Sequence, residues 1–106
     1  MTASIDLRQL RYFAVLCEEL HFGRAAARLN ISQPPLSRQI RLLEESLGVP
    51  LFDRDTRSVE PTPAAEAFLR KVKRILSDVD EAIRSVRKPL EKAQCLSVGY
   101  TTVFDF

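Results

Sequence analysis

Apolar positions recur along this chain with a period that changes from segment to segment, and the changes divide it into elements. Leu7, Leu10, Phe13, Ala14 and Cys17 fall at helical spacing and Leu20 continues their stripe, which predicts a helix over residues 6–20. Asp6 stands at its start with Gln9 three residues on, the pattern of a capping box. A second, short helix is predicted from about Gly23 to Leu29, where RAAARL is a strong helix former and three alanines let another helix come close. His21, Phe22 and Gly23 make the break before it, and Asn30 is a stop. A third helix is predicted from Pro34 to Leu47, with Leu36, Ile40, Leu43 and Leu47 as its buried stripe and Gly48 at the position that favours a left-handed cap. Its two opening prolines fit: the first N–H groups of a helix lack an intrahelical acceptor, and the fixed φ of proline suits the first turn. The cap is then Ser32 or Gln33, since a residue before proline resists the helical region.

Past Gly48 the pattern shortens. In VPLFDRDTRSVEP, Leu51 and Phe52 read as one strand and Ser58 to Glu60 as another, bounded by Pro50 and Pro61, with Arg54 and Arg57 near the turn of a hairpin. The longest helix is predicted from Pro63 to Lys88, capped by Thr62 and ended by Pro89. Phe68, Val72, Ile75, Val79, Ala82 and Val86 are spaced 4, 3, 4, 3 and 4, a heptad seam, and Leu69, Leu76 and Ile83 form a second row beside it. Such a helix is roughly 39 Å long, more than the about 30 Å breadth of a small domain. The overhanging seam therefore predicts a second copy of the chain. Leu96, Val98 and Tyr100 alternate like a strand, which cannot bury itself alone and reads as the start of a further domain.

The order of elements is that of a mainly α, winged helix-turn-helix fold: three helices plus a two-stranded β wing, followed by a long dimerisation helix. The division is residues 1–61 for the winged head, 62–89 for the linker helix and 90–106 for the start of the further domain. In such a head Ile31, in the turn NISQ, tucks into the core, and the third helix lies in the major groove of DNA.

Charge refines this picture by its placement. The 106 residues carry a net charge of only +2, short of a strongly basic nucleic-acid binder. Between Gly23 and Leu43, however, the only charges are Arg24, Arg28, Arg38 and Arg41, with Glu18, Glu19, Glu44 and Glu45 to either side. Pro34, Ser37, Arg38 and Arg41 share one side of the third helix, away from its leucines. Arg38 can make a bidentate contact to guanine, Ser37 can bond a base edge or a phosphate, and Pro34 and Pro35 can touch a thymine methyl or a sugar. Ser32 and the helix N-terminus suit a phosphate, weakened by two missing N–H groups. Arg54 and Arg57 are expected to reach the backbone or the minor groove.

Residues 6–69 resemble the DNA-binding head of LysR-type bacterial transcription regulators. The matching stretches are LRQLRYFAVLCEE, AAARLNISQPPLSRQIRLLEESLGVPLFDR and PTPAAEAFL. LSVGYTT resembles the first strand of that family's effector-binding domain. The resemblance implies binding of double-stranded DNA through Ser32, Gln33, Pro34, Pro35, Ser37 and Arg38, with Arg54 in the wing. It also implies a homodimer through the linker helix, a tetramer in the full-length protein and RNA polymerase as a further candidate partner. A small-molecule inducer would bind the C-terminal domain, and no cofactor or metal is expected in this chain. Gly23 stands where the family often has Ser or Thr, so a cap and a phosphate contact are expected to be absent there. Ala65 replaces a usual Gly where wing meets linker helix. Val72, Val79 and Val86 at one seam position lean toward a parallel coil on local rules, whereas the family pairs antiparallel. Antiparallel pairing is adopted because two heads must straddle one DNA site.

Two other classes of function fit the sequence less well. Catalysis lacks its parts: His21 is the sole histidine, no Cys/His cluster has metal-ligand spacing, and Cys17 lies on a buried stripe. A winged-helix protein-interaction or dimerisation module without specific DNA binding is the alternative function. Salt separates the two, since phosphate contacts weaken steeply with ionic strength and an apolar interface barely responds. No secretory leader or membrane span is apparent, and the expected location is the bacterial cytoplasm, at the nucleoid.

Overall fold

A computed structural model describes residues 5–54 and 59–94, with residues 88–94 described by their backbone alone. The elements follow in the order α1 (Leu7–Glu19), α2 (Phe22–Arg28), α3 (Gln33–Leu47), β1 (Phe52–Asp53), β2 (Glu60–Pro61) and α4 (Pro63–Gln94). The capping box at the start of α1 is present: Gln9 N donates to Asp6 Oδ1 at 2.9 Å, and Asp6 N donates to Gln9 Oε1 at 3.4 Å. At its other end Leu20 adopts the left-handed conformation (φ 51°), and the next residue, His21, already caps α2. The break between these helices is therefore Leu20 and His21, and Phe22 and Gly23 belong to the first turn of α2. Asn30, also left-handed (φ 61°), ends α2. Ile31 N donates to Ala26 O and Asn30 N to Ala27 O, a Schellman arrangement that turns the chain into α3 with Ile31 packed against the core.

One core joins all these elements. Phe13 is fully buried at its centre, with ring centroids 5.7 Å from Phe52 of the wing and 5.2 Å from Phe68 of α4. Leu36, Ile40 and Leu43 place one face of α3 in this core, while Ala25 and Ala26 form the close-packed face of α2. Ala65, fully buried, fits its methyl into the junction between wing and linker helix. Thr62 caps α4 by accepting from Ala65 N at 3.2 Å, and its hydroxyl donates to Pro50 O at 2.9 Å.

The structure departs from the sequence reading in the wing, in the linker helix and in the seam as well. The antiparallel wing pairs Phe52 with Pro61 and Asp53 with Glu60, one residue later than expected; Leu51 sits just before it, its N–H donating to Glu44 Oε2 and its carbonyl accepting from Thr62 N. Ser58, the expected start of the second strand, lies outside the described residues, as do Asp55, Thr56, Arg57 and the expected strand at 96–100. The linker helix does not stop at Pro89 but continues to Gln94. An interior proline removes the hydrogen bond to the carbonyl of Ser85, yet the following Leu-Glu-Lys-Ala-Gln are all good helix formers that carry the helix on. The third departure concerns the seam. Val72 is fully buried, so it belongs to the core of the head and not to a face open to a second chain, while Phe68 is half-buried with one side packed against Phe13.

Candidate nucleic-acid interface

The third helix is held from behind so that its far side is left to solvent. Leu36, Ile40 and Leu43 are completely covered. From α1 the buried Gln9 adds a polar tie, its Nε2 donating to Gln39 Oε1 of α3 at 2.9 Å. Gln9 thus serves twice, capping α1 and fixing α3, and only the first role is legible in sequence spacing.

Ser32 is the N-cap, and Gln33, Pro34 and Pro35 are the first three helical residues. A capping serine ordinarily accepts from the second or third helical N–H, and both of those are prolines here. Ser32 accordingly makes no cap hydrogen bond, and its side of the helix tip stays open. Ser32, Gln33 and Pro34 are exposed, Pro35 and Ser37 half-buried, and Arg38 and Arg41 exposed. The structure therefore brings all seven of these predicted residues to the tip and outer face of one helix.

The four arginines of the positive stretch divide into two pairs. Arg24 Nε lies 3.4 Å from Glu19 Oε1 and its Nη2 donates to Glu19 O. Arg28 Nη1 lies 2.7 Å from Glu18 Oε1 and 3.2 Å from Glu19 Oε2. Those hydrogen bonds raise the guanidinium pKa of Arg28, fixing its charge in the pair. Arg38 and Arg41 have no ion pair among the described residues, so the uncompensated charge of the stretch sits on α3.

Where the resemblance led us to expect a missing cap at Gly23, the structure supplies one from elsewhere. His21 Nδ1 accepts from Arg24 N at 3.0 Å and so caps α2. A Cβ at Gly23 would lie only 3.0 Å from His21 Cε1, so glycine makes room for the imidazole. Arg54 also departs from expectation. Its Nη2 is 3.2 Å from Glu44 Oε1, and its guanidinium carbon lies 5.6 Å from the ring centroid of Phe22. It is engaged by its own fold, in contrast to Arg38. Arg57 lies outside the described residues.

Along α4 the outward seam begins at Ile75, beside the buried Leu76. Ile75 is exposed, Val79 half-buried, Ala82 exposed and Val86 74% exposed. Cys17 is half-buried against the core, and burial pushes its thiol up to about 12, which keeps it protonated and unreactive near neutrality. No group of three or more potential metal ligands occurs among the described residues, and no helix among them is long and apolar enough to cross a membrane.

Comparison with known proteins agrees with this geometry. Residues 7–66 match the bacterial regulatory helix-turn-helix protein, lysR family. The chain is 52% identical over 104 residues to the uncharacterized HTH-type transcriptional regulator YnfL of Escherichia coli (strain K12), covering 97% of this chain and 35% of that protein. It is 46% identical over 94 residues to the HTH-type transcriptional regulator AlsR of Bacillus subtilis (strain 168), covering 89% of this chain and 31% of AlsR. It thus spans about a third of the length of these two relatives. Among solved structures, the BenM_DBD/catB site 1 DNA complex superposes with a TM-score of 0.77 at 44% identity, covering 79% of this chain and 93% of that one. The CbnR_DBD–DNA complex does so with a TM-score of 0.76 at 40% identity, covering 81% and 99%. With the family match spanning more than half of its residues, the chain belongs to the LysR family of bacterial helix-turn-helix transcription regulators.

Proposed function

We propose that this chain is the sequence-specific DNA-binding head of its regulator and reads an interrupted palindrome as a dimer. The observation that carries this reading is the outer face of α3: Pro34, Ser37, Arg38 and Arg41 lie off a completely buried leucine and isoleucine stripe, and both arginines lack an ion pair among the described residues. Arg38 pairs with a guanine edge, Ser37 with a base edge or phosphate, and the two prolines with a methyl or sugar wall. Ser32, Gln33 and Arg41 contact the flanking backbone. The seam of Ile75, Val79, Ala82 and Val86 joins two linker helices, antiparallel, so that the heads enter major grooves about one helical turn, roughly 34 Å, apart.

In this reading the chain carries out no catalysis, needs no cofactor and works in the bacterial cytoplasm. A small-molecule inducer acts on a C-terminal domain of the kind the family resemblance implies, and RNA polymerase is a partner at the promoter. Selection of bound sequences from random duplex DNA tests the reading. The expected product is a two-fold symmetric site with half-sites one turn apart, bound more weakly as salt rises. Enrichment of no sequence, together with salt-independent association with another protein, would establish the interaction-module alternative.

A further inference from the structure

Glu44 is an acidic residue whose side chain is only 11% exposed, and it touches two separate parts of the wing. Its Oε2 accepts from Leu51 N at 2.8 Å and from Phe52 N at 3.2 Å. Its Oε1 faces Arg54 Nη2 at 3.2 Å. Arg54 in turn lies over the ring of Phe22, the first residue of α2. One carboxylate of α3 therefore binds the entry to the wing, the arginine of its first arm and, through that arginine, α2. The wing needs such an anchor: its two strands are two residues each, too short to hold an orientation of their own.

We propose that Glu44 and Arg54 are positioning residues for DNA binding, a clamp that fixes the wing against the reading helix. The inference rests on the DNA-binding function proposed above. It reassigns Arg54 from a phosphate or minor-groove contact to an internal strut. The contrast with Arg38 and Arg41 supports the reassignment. Those two present an uncompensated charge on the outer face of α3, whereas the charge of Arg54 is met by a largely buried carboxylate and its guanidinium lies over an aromatic ring. A nearly buried carboxylate left without its cation is strongly disfavoured, so exchanging Glu44 for a phosphate would leave Glu44 uncompensated.

Two measurements on the 106-residue chain test the clamp. In the DNA-free protein, amide hydrogen exchange at Leu51 and Phe52 should be slow in the parent and about tenfold or more faster in Glu44→Ala. Glu44→Gln keeps an acceptor for these amides and removes only the charge, so their exchange should stay slow in it, and it carries the binding test where the alanine variant does not fold. Parent amides exchanging as fast as an open loop would overturn the proposal. On the selected duplex, Arg54→Met and Glu44→Gln should each weaken binding roughly fivefold, and the double variant no more than either alone. The slope of log affinity against log salt should stay near that of the parent. A slope lowered by about one in Arg54→Met, the mark of a lost phosphate contact, or tighter binding by Glu44→Gln, would overturn it. A parent chain that selects no duplex would defeat the DNA-binding function itself, and the exchange rates would still decide whether Glu44 holds the wing.

Discussion

Val72 and Val86 are the same residue at the same seam position of one helix, two heptads apart, yet one is fully buried and the other 74% exposed. The difference comes from their neighbours. α1 packs along the first half of α4, so Ala65, Val72 and Leu76 join the core that surrounds Phe13. Beyond that stretch the seam turns outward, from the half-buried Val79 to Ala82 and Val86, which are exposed. A periodic apolar row marks a face, and the reach of the neighbouring elements decides where that face is core and where it becomes an interface. The arginines repeat the contrast in polar form. Arg28 is met by two glutamates from α1, and Arg38, ten residues on, has no ion pair among the described residues.

The sharpest way to break this comparison is to place the same charge at both valines. Val72→Asp buries a carboxylate with no partner, at a cost of several kcal/mol, against a total stability of about 5–15 kcal/mol for a domain. Circular dichroism is expected to show loss of the cooperative thermal transition. A melting point within a few degrees of the parent would remove Val72 from the core. Val86→Asp should leave the head's melting almost unchanged, since it touches nothing there. It should instead raise the dimer dissociation constant on the order of 100-fold, because two like charges enter an apolar seam. Sedimentation equilibrium reads this directly, and an unchanged dimer would place the interface elsewhere.

The same split explains what could be read from the chain and what could not. Helices α1 to α4 were legible because local rules and tertiary packing agree: the Asp6–Gln9 box, the Asn30 stop, the Ser32–proline start and the Thr62 cap each act within one turn. Leu36, Ile40 and Leu43 were legible as core for the same reason, as was the outward face they leave behind. Features depending on contacts distant in sequence were not. Nothing in the spacing reveals that Gln9 reaches Gln39, or that Glu44 takes the amides of Leu51 and Phe52. The seam of α4 reads as one interface because periodicity is blind to where α1 stops. Pro89 reads as a stop by its local penalty, yet the helix formers that follow it carry α4 on to Gln94.

Among the charges, Arg38→Ala sharpens the comparison from the exposed side. It should weaken specific binding by about 1–3 kcal/mol and relax base choice at one position of each half-site, with the fold untouched. Quantitative selection on the variant reads both effects together. Unchanged affinity and an unchanged site would show that α3 does not read DNA through this residue.

The smallest effect is expected at Arg28, and its smallness carries the argument. Arg28 bears the same formal charge as Arg38, so a picture based on net charge alone assigns both to DNA. In the folded chain its guanidinium lies within 3.2 Å of carboxylates of Glu18 and Glu19, tying α2 to the end of α1. Exposed pairs of this kind contribute less than about 1 kcal/mol, so Arg28→Ala should lower the melting temperature by no more than a few degrees. Its effect on DNA affinity should stay within about twofold at low and at moderate salt, because neutralised charge displaces no counterions from the duplex. A salt slope reduced by about one in Arg28→Ala would mean that phosphate outcompetes both glutamates. Internal pairing would then be no guide to which arginines of this head meet DNA, and the contrast between covered and uncovered charge would fail.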